Sequence, residues 1–240
     1  MKTVQIILVI HLIIISFIGH SQNLKKISID VSAGKSVALR ELATKVFGVS
    51  RGELADDGVA VQTMVSYYPW RHIGFAGRVA YNDNKTRHQG IILIASGQYN
   101  VINPVVESVG NWSVLCGMIG PTLRIGSPKL GVEGRLLVGY ATVNSPTFST
   151  SGQVQGVNIL VKTFSQNAKD IAYGAGATLY VGLTKNLAFT ANADATFVDT
   201  VFKGVKNQIT SANLPIIERN ADIAQSVGVL NITGGLRFSF

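Results

Sequence analysis

The strongest constraint on the fold of this chain is a period of two in its apolar residues, which recurs along most of the sequence after residue 22. In residues 186–200, NLAFTANADATFVDT, every second residue from Leu187 to Phe197 is apolar, and most of the residues between them are polar. A helix would mix these two sets around its circumference, whereas a β-strand places them on opposite faces. The pattern therefore predicts strands with one apolar face and one polar face.

Eight segments carry this alternation. They are residues 26–34, 58–68, 72–82, 112–126, 130–141, 172–183, 186–200 and 230–240. The connections between them alternate in length. The short ones are 68–72, 126–129 and 184–186, and the long ones lie around 38–56, 84–110, 143–170 and 201–225. Because strict alternation puts every long connection on the same rim, we expect an all-β protein, an eight-stranded antiparallel up-and-down transmembrane β-barrel.

A water-soluble β-sandwich or lipocalin-like barrel would also show alternating strands. Two features of the sequence argue against that class of protein. The polar faces are rich in Gly, Ala, Ser and Thr, which suits a crowded lumen better than a hydrated exterior. Soluble eight-stranded barrels also rarely carry four long loops on one rim and none on the other. We therefore favour a barrel whose apolar face meets lipid.

The N-terminal residues have the pattern of an export signal. Lys2 precedes an apolar run over residues 6–18, and the small residues Gly19 and Ser21 follow it. The run is short for a helical membrane span and is interrupted by His11. We therefore expect a cleaved secretory signal over residues 1–21 and a barrel domain over residues 22–240.

Cysteine content and charge narrow the classes of function. The chain has one Cys, so an exported form has no intramolecular disulfide, and Cys116 lies in an apolar stretch that predicts a small buried side chain. The formal net charge is +8, but the basic residues are scattered along the chain. This distribution argues against a nucleic-acid partner and favours basic loops that face an anionic membrane surface.

The chain resembles the small bacterial outer-membrane β-barrel proteins, which include the OmpX and OmpA barrels and the PorT-like porin-family domains. The resemblance is carried by the N-terminal signal, the predicted hairpin at 174–197 and the terminal GGLRFSF at 234–240. It implies a protein of the Gram-negative cell envelope, located in the outer membrane among lipid and lipopolysaccharide. It also implies that the barrel assembly machinery reads Leu236, Phe238 and Phe240 as an assembly signal.

Three local features depart from a regular eight-stranded pattern. Residues 90–97, GIILIASG, and 157–164, VNILVKTF, are apolar although they fall in predicted loops. They are consistent with strand extensions above the membrane, an inward plug, or an added hairpin that gives ten strands. Pro121 lies inside the fourth predicted strand, where it predicts a bulge or a local break.

The polar faces predict a charged interior. The residues expected there as a polar network are Asp30, Arg78, Arg124, Glu133, Arg135, Asp194 and Arg237. Since unpaired charges are costly in a low-dielectric interior, we expect ion pairs among these four Arg and three carboxylates. An eight-stranded barrel is just wide enough for side chains to fill, so we expect a closed core, with a narrow pore as the alternative.

No arrangement of residues predicts catalysis, a metal site or a cofactor. His72 and His88 fall in connections at opposite ends of one predicted strand, so neither is placed to activate a Ser. The GAGATL segment lacks the third Gly of a dinucleotide fingerprint. Asp56 and Asp57 are more typical of a solvated loop than of a cation site. An enzyme is therefore not expected.

Aromatic residues predict two girdles at the membrane interfaces. Tyr67 and Trp70 fall near the short-turn rim, together with the terminal Phe residues. The others fall near the long-loop rim: Tyr81, Trp112, Tyr140, Tyr173 and Phe197. The function we expect is that of a monomeric structural or binding barrel whose loops meet an extracellular ligand. A narrow pore or a component of secretion machinery is the alternative, and a membrane-embedded lipid-modifying enzyme is the least favoured.

Overall fold

The computed structural model describes residues 25–40, 54–211 and 214–240. The predicted signal over residues 1–21 lies outside them. One helix, α1 (His88–Tyr99), accompanies the strands of this part of the chain. The strands are β1 (Ile27–Arg40), β2 (Ala55–Tyr67), β3 (Ile73–Thr86), β4 (Ile102–Val109), β5 (Asn111–Gly126), β6 (Leu130–Asn144), β7 (Phe148–Val154), β8 (Val157–Thr163), β9 (Asn167–Gly182), β10 (Leu187–Ser211) and β11 (Leu214–Ser239).

Eight of these strands form a closed antiparallel ring. The order is β1, β2, β3, β5, β6, β9, β10 and β11, and β11 pairs with β1 to close the barrel. In this closing pair Ile29 lies opposite Phe238, and Asp30 lies opposite Arg237. The predicted eight-stranded up-and-down barrel is confirmed. Closure pairs the edges that an open sheet would leave exposed.

The two ends of the barrel differ as the lengths of the connections predict. Residues 68–72, 127–129 and 183–186 connect strands at one end, which we call the short-turn end. The opposite end, the long-loop end, carries the larger connections. β10 and β11 are 25 and 26 residues long. Their pairing continues to Ser211 opposite Leu214, so the predicted loop 201–225 is largely a β-hairpin.

The two apolar loop segments adopt different structures, one a helix and the other a strand. Residues 90–97 lie within α1, where Ile91, Ile94 and Ala95 are buried at the i, i+3, i+4 spacing of a helix. Residues 157–163 form β8, which pairs with β7 as a hairpin.

This hairpin does not enter the ring. β8 pairs with the outer part of β10, and β7 pairs with β4, so the three strands form a flap at the long-loop end. The ten-stranded alternative is therefore wrong. β9 pairs directly with both β6 and β10 within the ring, which leaves no place for an added hairpin there.

Pro121 interrupts pairing without changing the register. Ile119 lies opposite Val138 and Thr122 lies opposite Arg135, while the intervening residues of β5 have no assigned partner on β6. The predicted local break is present, but the predicted bulge is absent. Proline has no backbone N–H to donate, and the pairing with β6 is interrupted only at Gly120 and Pro121.

The exterior of the ring is apolar. Large apolar side chains on its strands point outward, with Ile119 70% exposed and Leu136 65% exposed. A continuous apolar belt of this kind would be unfavourable in water, but it matches a hydrocarbon environment. No helix in the described part of the chain is both long and apolar enough to cross a membrane. A closed ring with an apolar outside and short turns at one end is the architecture of an outer-membrane-type barrel.

Candidate functional site: the barrel interior

The interior of the barrel is divided along its axis. Towards the short-turn end it holds the charged side chains, and towards the long-loop end it holds aliphatic side chains together with a few neutral polar ones such as Ser36, Asn82 and Asn84. All seven residues predicted for the lumen are buried inside the ring. Successive side chains of a strand point to opposite faces, which explains this position. Each of the seven residues lies on the inward face, and the residues before and after it in the sequence face lipid.

One group of charges surrounds Asp194 on β10, and we call it the Asp194 cluster. Arg135 on β6 donates from Nε to Oδ1 of Asp194 at 2.8 Å and from Nη2 to Oδ2 at 2.6 Å. Nη1 of Arg78, on β3, lies 3.0 Å from Oδ1, and Gln62 donates to Oδ2 at 2.9 Å. Asp194 is completely buried, so these groups replace its hydration shell.

A second group surrounds Glu133 on β6, and we call it the Glu133 cluster. Arg237 of β11 donates from Nη1 and Nη2 to the two carboxylate oxygens of Glu133, at 2.7 and 2.9 Å. Its Nε also lies 3.6 Å from Oδ2 of Asp30. This bidentate pair joins β6 and β11, which are separated in the ring by β9 and β10, so it reaches through the lumen.

Neutral side chains connect the two clusters. Arg135 donates to Thr178 at 2.7 Å, Thr178 donates to Asn192, and Asn192 donates to Asp30 at 3.4 Å. The Asp194 cluster holds two Arg and one carboxylate, whereas the Glu133 cluster holds one Arg and two carboxylates. Their opposite net charges explain why the clusters are stable side by side in a buried interior.

Arg124 stands apart, at the short-turn mouth of the lumen. Its guanidinium lies 3.8 Å from the ring centroid of Tyr68, and Nη2 donates to the backbone oxygen of Lys25 at 3.0 Å. Among the described residues, no carboxylate forms an ion pair with it. Stacking on an aromatic face stabilises a cation without a counter-ion.

The aliphatic lining towards the long-loop end is not among the residues that the polar faces of the strands predict for the lumen. It consists of buried side chains: Val114, Leu137, Val143, Val198, Val227 and Val229. The sequence does contain the signal for this lining. Val198 is four residues from Asp194 on β10, and Val229 is two residues from Asn231 on β11, so each lies on the same strand face as a lumen residue. Cys116 is buried in the same interior, in agreement with its predicted environment.

Most of the predicted girdle aromatics lie on the outside of the barrel. Tyr67, Trp70, Tyr81, Tyr140 and Tyr173 are exposed. Phe197 is half-buried, and its ring packs 5.8 Å from that of Tyr173.

Trp112 is the exception to the girdle prediction, which is wrong for this residue. Only 5% of its surface is exposed, and it lies inside the barrel. The reason is parity, since Trp112 is an even number of residues from Thr122 and Arg124, which also face the lumen.

The other candidate residues are engaged in separate contacts. Nδ1 of His72 lies 3.0 Å from the backbone oxygen of Arg124, at the short-turn end. Asp56 accepts from Nε of Arg87 at 2.7 Å, and Asp57 pairs with Lys35 at 2.6 Å. Within residues 25–40, 54–211 and 214–240, no three His, Cys, Asp or Glu side chains form a group suited to a metal ion.

No family model matches the chain, and no curated protein matches it. Among solved structures, it is similar to a major outer membrane protein from Thermus thermophilus, with 11% identity over 91% of this chain and 100% of that chain and a TM-score of 0.48. It is also similar to the outer membrane protein OprG from Pseudomonas aeruginosa, with 12% identity over 91% and 97% of the two chains and a TM-score of 0.44. A third is Ail, the attachment invasion locus protein of Yersinia pestis, with 15% identity over 90% and 100% and a TM-score of 0.41. Because these identities and TM-scores are low, the fold is assigned from the strand order of the ring and from its apolar exterior.

Proposed function

We propose that the protein is an integral outer-membrane barrel with a closed lumen, and that its long-loop end is a binding structure. The observation that carries the closed lumen is the pair of charged clusters around Asp194 and Glu133. Their side chains reach across the interior, and both carboxylates are almost completely buried. An eight-stranded ring leaves little room beyond such side chains, so no continuous water path is expected.

The long-loop end supports the binding role. α1, the flap formed by β4, β7 and β8, and the projecting β10–β11 hairpin build an ordered structure there. Outer-membrane barrels carry long loops on the extracellular side and short turns on the periplasmic side. We therefore place the long-loop end outside the cell, with lipid and lipopolysaccharide around the apolar belt, and we propose a monomer because the ring closes within one chain.

A binding role is preferred to a catalytic one because of where the two histidines of residues 25–240 lie. His72 precedes β3 at the short-turn end, and His88 begins α1 after the other end of β3. Acid–base or nucleophilic catalysis needs its groups within hydrogen-bond reach of one another. The separation of His72 and His88 along a whole strand does not provide this.

We expect the purified, refolded protein to give no stable single-channel steps in a planar lipid bilayer. The physical reason is that the charged clusters fill the lumen. Heat-modifiable gel mobility of the same sample would establish that folded protein was inserted. Reproducible unitary steps from such a sample would contradict the closed lumen and favour the narrow pore.

The outward face of β11 supports an assembly signal. Leu236, Phe238 and Phe240 alternate outward on the closing strand. Replacing both Phe238 and Phe240 by Ala should remove most of the protein from the outer-membrane fraction of cells that express the full chain. Fractionation followed by immunoblotting measures this.

The matched control for this experiment is Phe189→Ala. Phe189 is an equally exposed aromatic residue on the adjacent strand β10, opposite Leu236. It removes one exposed phenylalanine ring, against two in the double variant, and does not touch the proposed signal. If the Phe189 variant is lost from the membrane to the same degree, the phenylalanines act through lipid contact alone and the signal role is wrong.

A further inference from the structure

A cavity lies beneath α1, where the apolar half of the lumen meets the long-loop end. Its volume is about 40 Å³, and its walls are mainly apolar, formed by Ile91, Ile94, Phe202 and Val205 among others. A second cavity, of about 130 Å³, adjoins it and shares the walls made by Ile94 and Phe148. The first cavity is only slightly larger than the volume of one water molecule, about 30 Å³, whereas the second approaches the roughly 150 Å³ that holds a six-membered ring.

Two hydrogen-bond donors at the first cavity have no acceptor. Trp112 is 95% buried, and its Nε1 has no hydrogen-bond partner among the described residues. The same holds for Nε2 of Gln225, which also lines the cavity. The Trp112 ring is held edge-on against Phe202, with centroids 6.0 Å apart. A buried indole N–H normally finds an acceptor, since leaving it without one is costly.

The second cavity is more polar at its far side. Tyr99 and Asp222 contribute to its lining there. Burial raises the pKa of the Tyr99 phenol, while the charge of Arg219 acts in the opposite direction. The phenol is therefore neutral at physiological pH. The first cavity is therefore mainly apolar and contains the two donors without an acceptor, and the second cavity leads from it to polar side chains.

We propose that the cavity beneath α1 binds a small apolar molecule that carries one hydrogen-bond acceptor, such as a carbonyl, ether or hydroxyl oxygen. The acceptor receives the Nε1–H of Trp112, and the apolar part packs against Ile91, Ile94 and Phe202 and extends towards the second cavity. Ligand sites are commonly apolar pockets with a few placed polar groups, and this pocket has that composition. The proposal rests on the binding role of the long-loop end and names the class of ligand for it.

The two tryptophans of the chain make a direct test available, because Trp70 lies exposed at the short-turn end and Trp112 lies in the pocket. In ¹⁵N-labelled protein in lipid nanodiscs, 2-hexanone should shift the indole N–H signal of Trp112 saturably. The Trp70 signal reports partition of the probe into lipid and should change only gradually. Val205→Phe fills the pocket without altering Trp112 and should abolish the saturable shift.

The acceptor is tested by a matched probe, 2-methyl-1-hexene, in which a methylene group replaces the carbonyl oxygen. Methyl signals of Ile91 and Ile94 report the binding of both probes. The preference for the ketone over the alkene should fall about tenfold in Trp112→Phe relative to the unchanged protein, because Phe keeps an aromatic ring but has no N–H donor.

Three results would overturn the proposal. They are a non-saturable shift that affects both tryptophans alike, saturable binding that survives in a folded Val205→Phe barrel, and a ketone preference unchanged in Trp112→Phe. None of them bears on the closed lumen, which bilayer conductance tests separately. Conversely, channel steps in a bilayer would contradict the closed lumen but would not change the result of the binding experiment at Trp112.

Discussion

Replacing Asp194 by Asn should destabilise the barrel by about 3–5 kcal/mol, the cost of removing one partner from a buried ion pair. Asn keeps the size of the side chain and one acceptor oxygen, so the change is almost purely one of charge. Arg78 and Arg135 would then be buried cations without the carboxylate that forms an ion pair with each of them. Because the Asp194 cluster already holds an excess of one positive charge, the neighbouring Glu133 cluster compensates only at longer range.

Urea titration of the refolded protein in lipid vesicles, followed by heat-modifiable gel mobility, measures this loss. Asp199→Asn is the matched control, since Asp199 lies on the same strand, faces outward and accepts a hydrogen bond from Ser226. It should change the free energy of unfolding by less than about 1 kcal/mol. Equal destabilisation by the two substitutions would show that the buried charge of Asp194 has no special role.

Replacing Gly235 by Val should prevent normal closure of the barrel. A Cβ at this position would lie 2.2 Å from the backbone oxygen of Val31 and 2.7 Å from Cα of Ser32. Both atoms belong to the backbone of β1, which pairs with β11 to close the ring. The clash can be relieved only by separating the two strands, so we expect destabilisation at the upper end of overpacking costs, about 3 kcal/mol.

Gly234→Val is the adjacent control. A Cβ at Gly234 meets only the backbone oxygen of Thr190, at 3.9 Å, and it points to the lipid side. This substitution adds apolar surface where lipid is expected, so folding should be unaffected. The measurement is the yield of heat-modifiable, folded protein after refolding into vesicles. A folded yield of Gly235→Val equal to that of Gly234→Val would contradict the close approach of β11 to β1.

The strands of the ring were predictable because alternation is a local property. The residues around Asp194 show their two faces without reference to any other strand, and the same reasoning placed the lumen charges on the inward side. Applied consistently, parity would also have placed Trp112 inside the barrel and marked Val198 and Val229 as apolar lining. The aromatic character of Trp112 and the apolar character of Val198 and Val229 predict a lipid-facing position, whereas the alternation along each strand decides the face.

The helix α1 and the flap were less accessible to sequence reasoning. The i, i+3, i+4 spacing of Ile91, Ile94 and Ala95 covers a single turn, which is too short to distinguish a helix from an apolar strand. β8 shows alternation, but nothing in residues 157–163 distinguishes a partner in the ring from a partner outside it. That choice depends on β9, which already pairs with both of its neighbours in the ring.

The sequence by itself determined the number of strands in the ring, the rim that carries the long connections, and which face of each strand meets lipid. These properties follow from the period of two and from the lengths of the connections, and each is written in a contiguous stretch of residues. Only the tertiary structure decided which charges pair, since Glu133 and Arg237 are 104 residues apart and meet in the lumen. It alone placed α1 over the cavity at Trp112. Both outcomes depend on the register and closure of the whole ring, which bring together side chains that no local pattern relates.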